Sequence, residues 1–126
     1  MQSIIKNEPS TLEELNDFLA QVNFVLPVDF FDFFKMSNGA DITTDSSYVI
    51  LWPLRDMFTM NEGYETLLYA PGFFFFGSDG GYTAFAIEKK TGYIYEVPFI
   101  GMSDSTASFK CKTFSEFFDI IGCSMS

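Results

Sequence analysis

The chain carries carboxylates and aromatic rings in quantity, two thiols and no imidazole. Without histidine neither a Ser-His-Asp nor a Cys-His nucleophilic site can be assembled. The commonest metal ligand, and the side chain that titrates nearest neutrality, are missing with it. Cys111 and Cys123 cannot by themselves complete the four-ligand shell of a structural zinc, and both read as reduced thiols. Lys110 and Lys112 flank Cys111 and would lower its pKa, but no base stands ready to activate it, so a structural thiol is the plainer reading. Asp29 and Asp32 have a spacing that suits paired carboxylates for acid/base or metal chemistry, but a solvated helix edge is the plainer reading. Asp41 to Asp45 lacks the alternating ligands, central glycine and terminal glutamate of an EF-hand. Ser78-Asp79-Gly80-Gly81 lacks the Walker lysine and joins two strand-like runs, so it reads as a tight turn and not a phosphate cradle. No catalytic residue, metal or cofactor is expected.

The elements around these residues form one α+β domain over residues 1–126. At 126 residues and 48% hydrophobic composition the chain is long and apolar enough to bury a core. Ser10 and Glu13 have capping-box spacing, and Leu12, Leu15, Leu19 and Val22 form a helical stripe expected to face that core. Leu26-Pro27 starts a second helix, Asp29 favours the positive end of its dipole, and Asn38-Gly39 stops it. Phe30, Phe31, Phe33 and Phe34 cover so wide an arc that this helix should pack centrally, between another helix and a sheet. Four strands are expected at Tyr48–Trp52, Phe73–Phe76, Tyr82–Ile87 and Tyr93–Val97, the last three as an antiparallel meander with the Phe73 run interior. Leu54 to Leu68 should hold a short helix, interrupted by Asn61 and Gly63, and then an ordered loop. Thr113 and Glu116 repeat the capping-box spacing before Phe114, Phe117, Phe118 and Ile121, and Gly122 caps the end. The fold expected is a twisted, mainly antiparallel sheet of four or more strands flanked by N-terminal and C-terminal helices.

The formal charge is −10, the opposite of a phosphate-backbone binder's, so nucleic acid is not expected as a partner. The densest apolar run, Phe73 to Phe76, is far too short to cross a membrane. The N-terminal residues lack the apolar stretch of a secretory signal, which places the expected compartment in the cytoplasm.

Leu26-Pro27-Val28-Asp29-Phe30-Phe31-Asp32-Phe33-Phe34 followed by Asn38-Gly39 resembles the helix and turn near the start of the SUKH superfamily. This is the family of the yeast Smi/Knr cell-wall-synthesis regulators and of many bacterial immunity proteins. Ile50-Leu51-Trp52 with Leu54, Asn61, Pro71, Gly77-Ser78-Asp79-Gly80-Gly81, Ala84-Phe85-Ala86-Ile87, Gly92-Tyr93-Ile94-Tyr95 and Thr113-Phe114 follow in the family's order. The resemblance spans roughly Leu26 to Phe118. Ala40 stands where a second glycine is frequent, and Tyr82 where a small or polar residue is frequent. The resemblance implies a non-catalytic protein-binding domain: an immunity protein that neutralises a toxin domain, often a nuclease or deaminase, or a regulatory domain as in the eukaryotic branch.

Charge gives that implication independent physical sense, because a nuclease presents a cationic cleft toward which an acidic protein is steered. Solubility alone explains the same charge. Asp41, Asp45, Asp56, Glu62, Glu65 and Asp79 fall in expected loops or at element ends, where they would meet a basic toxin partner; for each, an ordinary solvated or turn role competes. Trp52 and Tyr64 are the candidate aromatic anchors, with core packing the plainer role for Trp52 and Tyr64 open between exposure and packing. The free protein is expected to be a monomer.

Overall fold

Seven strands form a single open antiparallel sheet in the computed structural model, which describes residues 3–123. They are β1 (Ser3–Lys6), β2 (Ala40–Thr43), β3 (Tyr48–Leu51), β4 (Phe73–Ser78), β5 (Thr83–Glu88), β6 (Ile94–Pro98) and β7 (Ser108–Cys111), and their order in the sheet is their order in the chain. Helices α1 (Leu12–Gln21) and α2 (Phe30–Met36) lie between β1 and β2, α3 (Leu54–Gly63) and α4 (Thr66–Tyr69) between β3 and β4, and α5 (Phe114–Ile120) after β7.

The four expected strands are β3 to β6. The meander of β4, β5 and β6 is antiparallel throughout, and every residue of β4 is buried. The other three strands were not expected: β2 has the pattern buried, exposed, buried, exposed in a run with no aromatic residue, and β1 and β7 are the sheet's edges, with three of four and two of four residues exposed. Between β3 and β4 the backbones come so close at Gly77 that a Cβ there would strike the Ile50 carbonyl, and the β4 register shifts by a bulge beside it.

Both N-terminal helix starts differ from expectation. Thr11, not Ser10, caps α1: its hydroxyl accepts from Glu14 N–H at 3.1 Å while Thr11 N–H donates to the Glu14 carboxylate at 2.9 Å. Ser10 Oγ is instead buried without a hydrogen-bond partner. Leu15 and Phe18 are the buried residues of α1, while Leu12 and Leu19, counted in the inward stripe, are 74% and 50% exposed. The second helix begins at Phe30 and not at Leu26-Pro27. Those two residues precede a turn in which Phe30 N–H donates to the Pro27 carbonyl.

The core is largely phenylalanine. Phe30 on α2 stacks on Phe18 of α1 at 5.3 Å, and Phe33 meets Phe118 of α5 at 5.3 Å, so α2 lies between two helices. Phe74, Phe76 and Phe85 rise from the sheet to meet Phe18, Phe114 and Phe117. Edge-on and offset ring contacts each add on the order of 1 kcal/mol beyond area burial.

Two polar residues fasten these layers from a distance. Asp29 was expected to serve its own helix or form a solvated edge; instead its carboxylate accepts from Phe114 N–H and Ser115 N–H, both at 2.9 Å, and closes the N-terminus of α5. Asn38 does more than stop α2. Its Oδ1 accepts from Leu54 N–H at 2.7 Å at the start of α3, where Pro53 offers no side-chain cap, and its Nδ2 donates to Glu14 at 3.0 Å. Helix termini leave backbone donors unpaired, and these remote side chains satisfy them while joining elements far apart in sequence.

Candidate partner-binding face

Register assigns every strand residue to a face. Ile5, Asp41, Ile50, Ser78, Ala84 and Val97 stand opposite one another in turn across six strands and therefore share the face turned away from α1 and α5. Their burial is graded: Ile5 is 64% exposed, Asp41 exposed, Ile50 half-buried, and Ser78, Ala84 and Val97 buried. The cover over β4 to β6 is the segment that links β6 to β7. Asp104 in that segment accepts from Gly72 N–H at 3.1 Å, and the Phe99 ring lies 5.9 Å from Phe75. Over β1 to β3 the same face is bare, with Thr43 and Tyr48 forming a second exposed pair.

The elbow between α3 and α4 borders this face. After Trp52, whose N–H donates to the Phe76 carbonyl at 3.0 Å, Pro53 cannot continue the ladder and the chain turns into α3. The vacated pairing site on Phe75 is taken by a side chain. Asn61 Oδ1 accepts from Phe75 N–H at 2.9 Å and from Thr66 Oγ1 at 3.1 Å; Asn61 Nδ2 donates to the Phe75 carbonyl at 2.8 Å and the Met57 carbonyl at 2.7 Å. Asn61 thus sits inside the helix it was expected to interrupt, and fastens α3, α4 and β4 at one buried point. Glu65, between the helices, has φ 58° and ψ 44°, a left-handed conformation that an L side chain rarely takes.

The expected site residues do not form one cluster. Glu62, Tyr64 and Glu65 come together, all exposed, on the elbow. Tyr64 is 38% exposed, stacks on Trp52 at 6.3 Å and meets the tilted ring of Phe99 at 4.6 Å, so its ring is half platform and half surface. Trp52 itself is buried. Asp41 is not in a loop: it lies within β2, on the bare half of the sheet face. Asp45 lies in the β2–β3 turn and Asp79 in the β4–β5 turn. Asp79 has structural work, its Oδ1 accepting from Gly81 N–H at 2.8 Å and Thr83 N–H at 3.2 Å, and Gly80 takes φ 79° with the Tyr48 ring packed against it. Asp56 lies in the first turn of α3, apart from the elbow.

Leu67, Leu68 and Tyr69 were missed by sequence reasoning. They are 76%, 69% and 53% exposed, between the buried Thr66 and Ala70. Their signal was an apolar triplet lying between Glu65 and Pro71 in a stretch of weak periodicity.

A shallow polar hollow of about 290 Å³ opens at the end of the sheet, lined in part by Ser46, Asp79, Thr83, Glu96 and Lys110. Lys110 Nζ and Glu96 Oε2 pair there at 2.8 Å, so the two charges satisfy each other. Cys111 is buried, and burial with Glu116 nearby pushes its thiol up to about 11, against the lowering expected from Lys110 and Lys112. Among the described residues no group of three or more His, Cys, Asp or Glu could hold a metal ion, and no helix is long and apolar enough to cross a membrane.

One sheet face packed by phenylalanine-bearing helices, the other half-covered by a single connecting segment, defines an open-sheet α+β domain whose least protected surface is β1 to β3 and the adjoining elbow. The model of the SMI1 / KNR4 family (SUKH-1) matches residues 9–120. The chain belongs to that family. The match extends beyond the Leu26 to Phe118 span of the motifs and takes in α1. No individual curated protein matches the chain.

Proposed function

We propose that the protein is a non-catalytic immunity protein: it binds a cognate toxin domain, a nuclease or deaminase, and blocks that domain's cationic cleft as a cytoplasmic monomer. Family membership supports a role of this kind. The observation that carries it is electrostatic. The chain has formal charge −10, and from Met57 to Glu88, the stretch that contains the elbow, it holds no lysine or arginine at all. Like-signed surface of this kind accelerates encounter with a cationic partner and disfavours anionic ones.

An immunity gene is expected to sit beside a toxin gene; mixing the purified protein with a toxin domain encoded there, and following co-elution by size exclusion, tests the reading. A one-to-one complex whose association slows steeply between low and high salt is expected. Failure to bind that domain at low salt overturns it, and leaves a regulatory interaction domain of the Smi/Knr type.

A further inference from the structure

We propose that the α3–α4 elbow is the anchor of the interface: Leu67, Leu68 and Tyr69 enter an apolar pocket on the partner whose rim carries lysine and arginine. The inference rests on the binding reading above and names the part of the surface that holds the partner, together with the chemistry that receives it.

Four observations converge on the elbow. Its three consecutive apolar side chains face water, although the residues on either side, Thr66 and Ala70, are buried and would allow a polar triplet at no loss to the core. Isolated exposed apolar residues are ordinary, but a contiguous exposed cluster marks an interaction surface. Second, the cluster is held rigidly. Thr66 Oγ1 donates to Asn61 Oδ1, and Asn61 is itself bonded to the β4 backbone, so α4 is tied to the sheet through buried polar contacts. A single helical turn in water is otherwise unstable, and a preformed one loses less entropy on docking. Third, Glu65 adopts left-handed backbone geometry to turn α3 into α4, a local strain that the fold maintains where the apolar triplet is presented. Fourth, the flank of the triplet formed by the end of α3 is acidic. Glu62 and Glu65 are exposed beside the triplet, and no cation occurs in the chain between Arg55 and Lys89. An apolar knob with an anionic collar fits an apolar socket with a cationic collar, and disfavours a lipid surface of anionic headgroups or a second copy of the same elbow.

The roles divide accordingly. Apolar insertion excludes water and slows dissociation; the carboxylates speed encounter. The test uses the full-length protein and the toxin domain encoded beside its gene as probe, with association and dissociation measured by surface plasmon resonance. Leu67→Ser with Leu68→Ser should weaken binding by on the order of 30-fold or more, through faster dissociation. Glu62→Lys should slow association and flatten its salt dependence. Ile5→Ser, on the bare sheet face, should change the affinity by less than about threefold. The substituted leucines are exposed, so an unchanged urea midpoint checks that the fold survives. Wild-type protein that fails to bind the probe sinks the binding reading. Wild-type protein that binds, with the leucine variant binding equally well or the Ile5 variant carrying the larger loss, overturns the elbow alone.

Discussion

Replacing Asn61 by alanine should cost this protein a large share of its stability. The side chain makes four buried hydrogen bonds that join α3, α4 and β4. The Met57 carbonyl keeps the ordinary helical bond available to it, and Thr66 Oγ1 retains a weak contact to the Asn61 carbonyl at 3.4 Å. Phe75 retains no such substitute: both its N–H and its carbonyl face the place where β3 has left the sheet. Two orphaned backbone groups at about 1 to 3 kcal/mol each give a loss of about 2 to 6 kcal/mol, against a domain total on the order of 5 to 15 kcal/mol. With a urea slope of about 2 kcal/mol per molar, the midpoint should fall by about 1 to 3 M. Asn61→Asp sharpens the test. A carboxylate accepts from Phe75 N–H and Thr66 but turns lone pairs toward two carbonyls, so its folded pKa is raised above the unfolded value; the variant should gain stability as pH falls and the acid takes up a proton to donate. Equilibrium urea unfolding from pH 4 to pH 7 measures both. An alanine variant within about 1 kcal/mol of wild type, or an aspartate variant with no gain toward acid pH beyond wild type, would refute the idea that a side chain completes the sheet here.

Asp29→Ala should destabilise by about 1 to 2 kcal/mol, with faster hydrogen exchange at the Phe114 and Ser115 amides than elsewhere in α5; equal acceleration along the whole helix would deny Asp29 its capping role. Cys111, buried and with its thiol raised, should resist an aromatic disulfide reagent at pH 8 until the protein unfolds, whereas rapid labelling of the native state would contradict the burial. The Thr11 N–H bond holds the Glu14 carboxyl below the usual glutamate range, so its contribution to stability is complete above about pH 5 and is lost as pH falls through the folded value. Glu14→Gln should flatten acid unfolding over that interval, measured by circular dichroism against pH. Gly77→Ala should lower the unfolding midpoint markedly, since the added carbon meets the Ile50 carbonyl backbone and not a movable side chain.

What the amino-acid order disclosed, and what it hid, follows from the range of the interactions. β3 to β6 could be read because aromatic and β-branched runs bounded by turns need no tertiary information. β1, β2 and β7 were passed over: each is short and none carries a run of aromatic and β-branched residues like that of β3, although β2 alternates, and their pairing is supplied by the rest of the sheet. Thr11 displaced Ser10 as the cap of α1 because both satisfy the local pattern and only the packing of Phe18 against Phe30 chooses the rotation. Asp29 and Asn38 were singled out correctly as positions that matter but given local roles, since nothing within a few residues reveals that they serve α5 and α3. Asn61 looked like a helix breaker for the same reason: its partner, Phe75, is fourteen positions away. At the candidate site, Glu62 and Glu65 were named as acids at element ends and Tyr64 as a ring beside Gly63, while the Leu67-Leu68-Tyr69 triplet was passed over because apolar residues are expected to be buried, and exposure is a property of the fold.

The central claim is that the protein acts by occupying a partner's surface and makes or breaks no bond. Titrating it into a fixed concentration of the toxin domain proposed as its partner, well above the dissociation constant, and measuring residual toxin activity tests this most directly. Activity should decline linearly and reach zero at one equivalent, and should return when the complex is dissociated in high salt. Inactivation by a small fraction of an equivalent, growing with incubation time and persisting after the protein is removed, would show turnover and contradict the account.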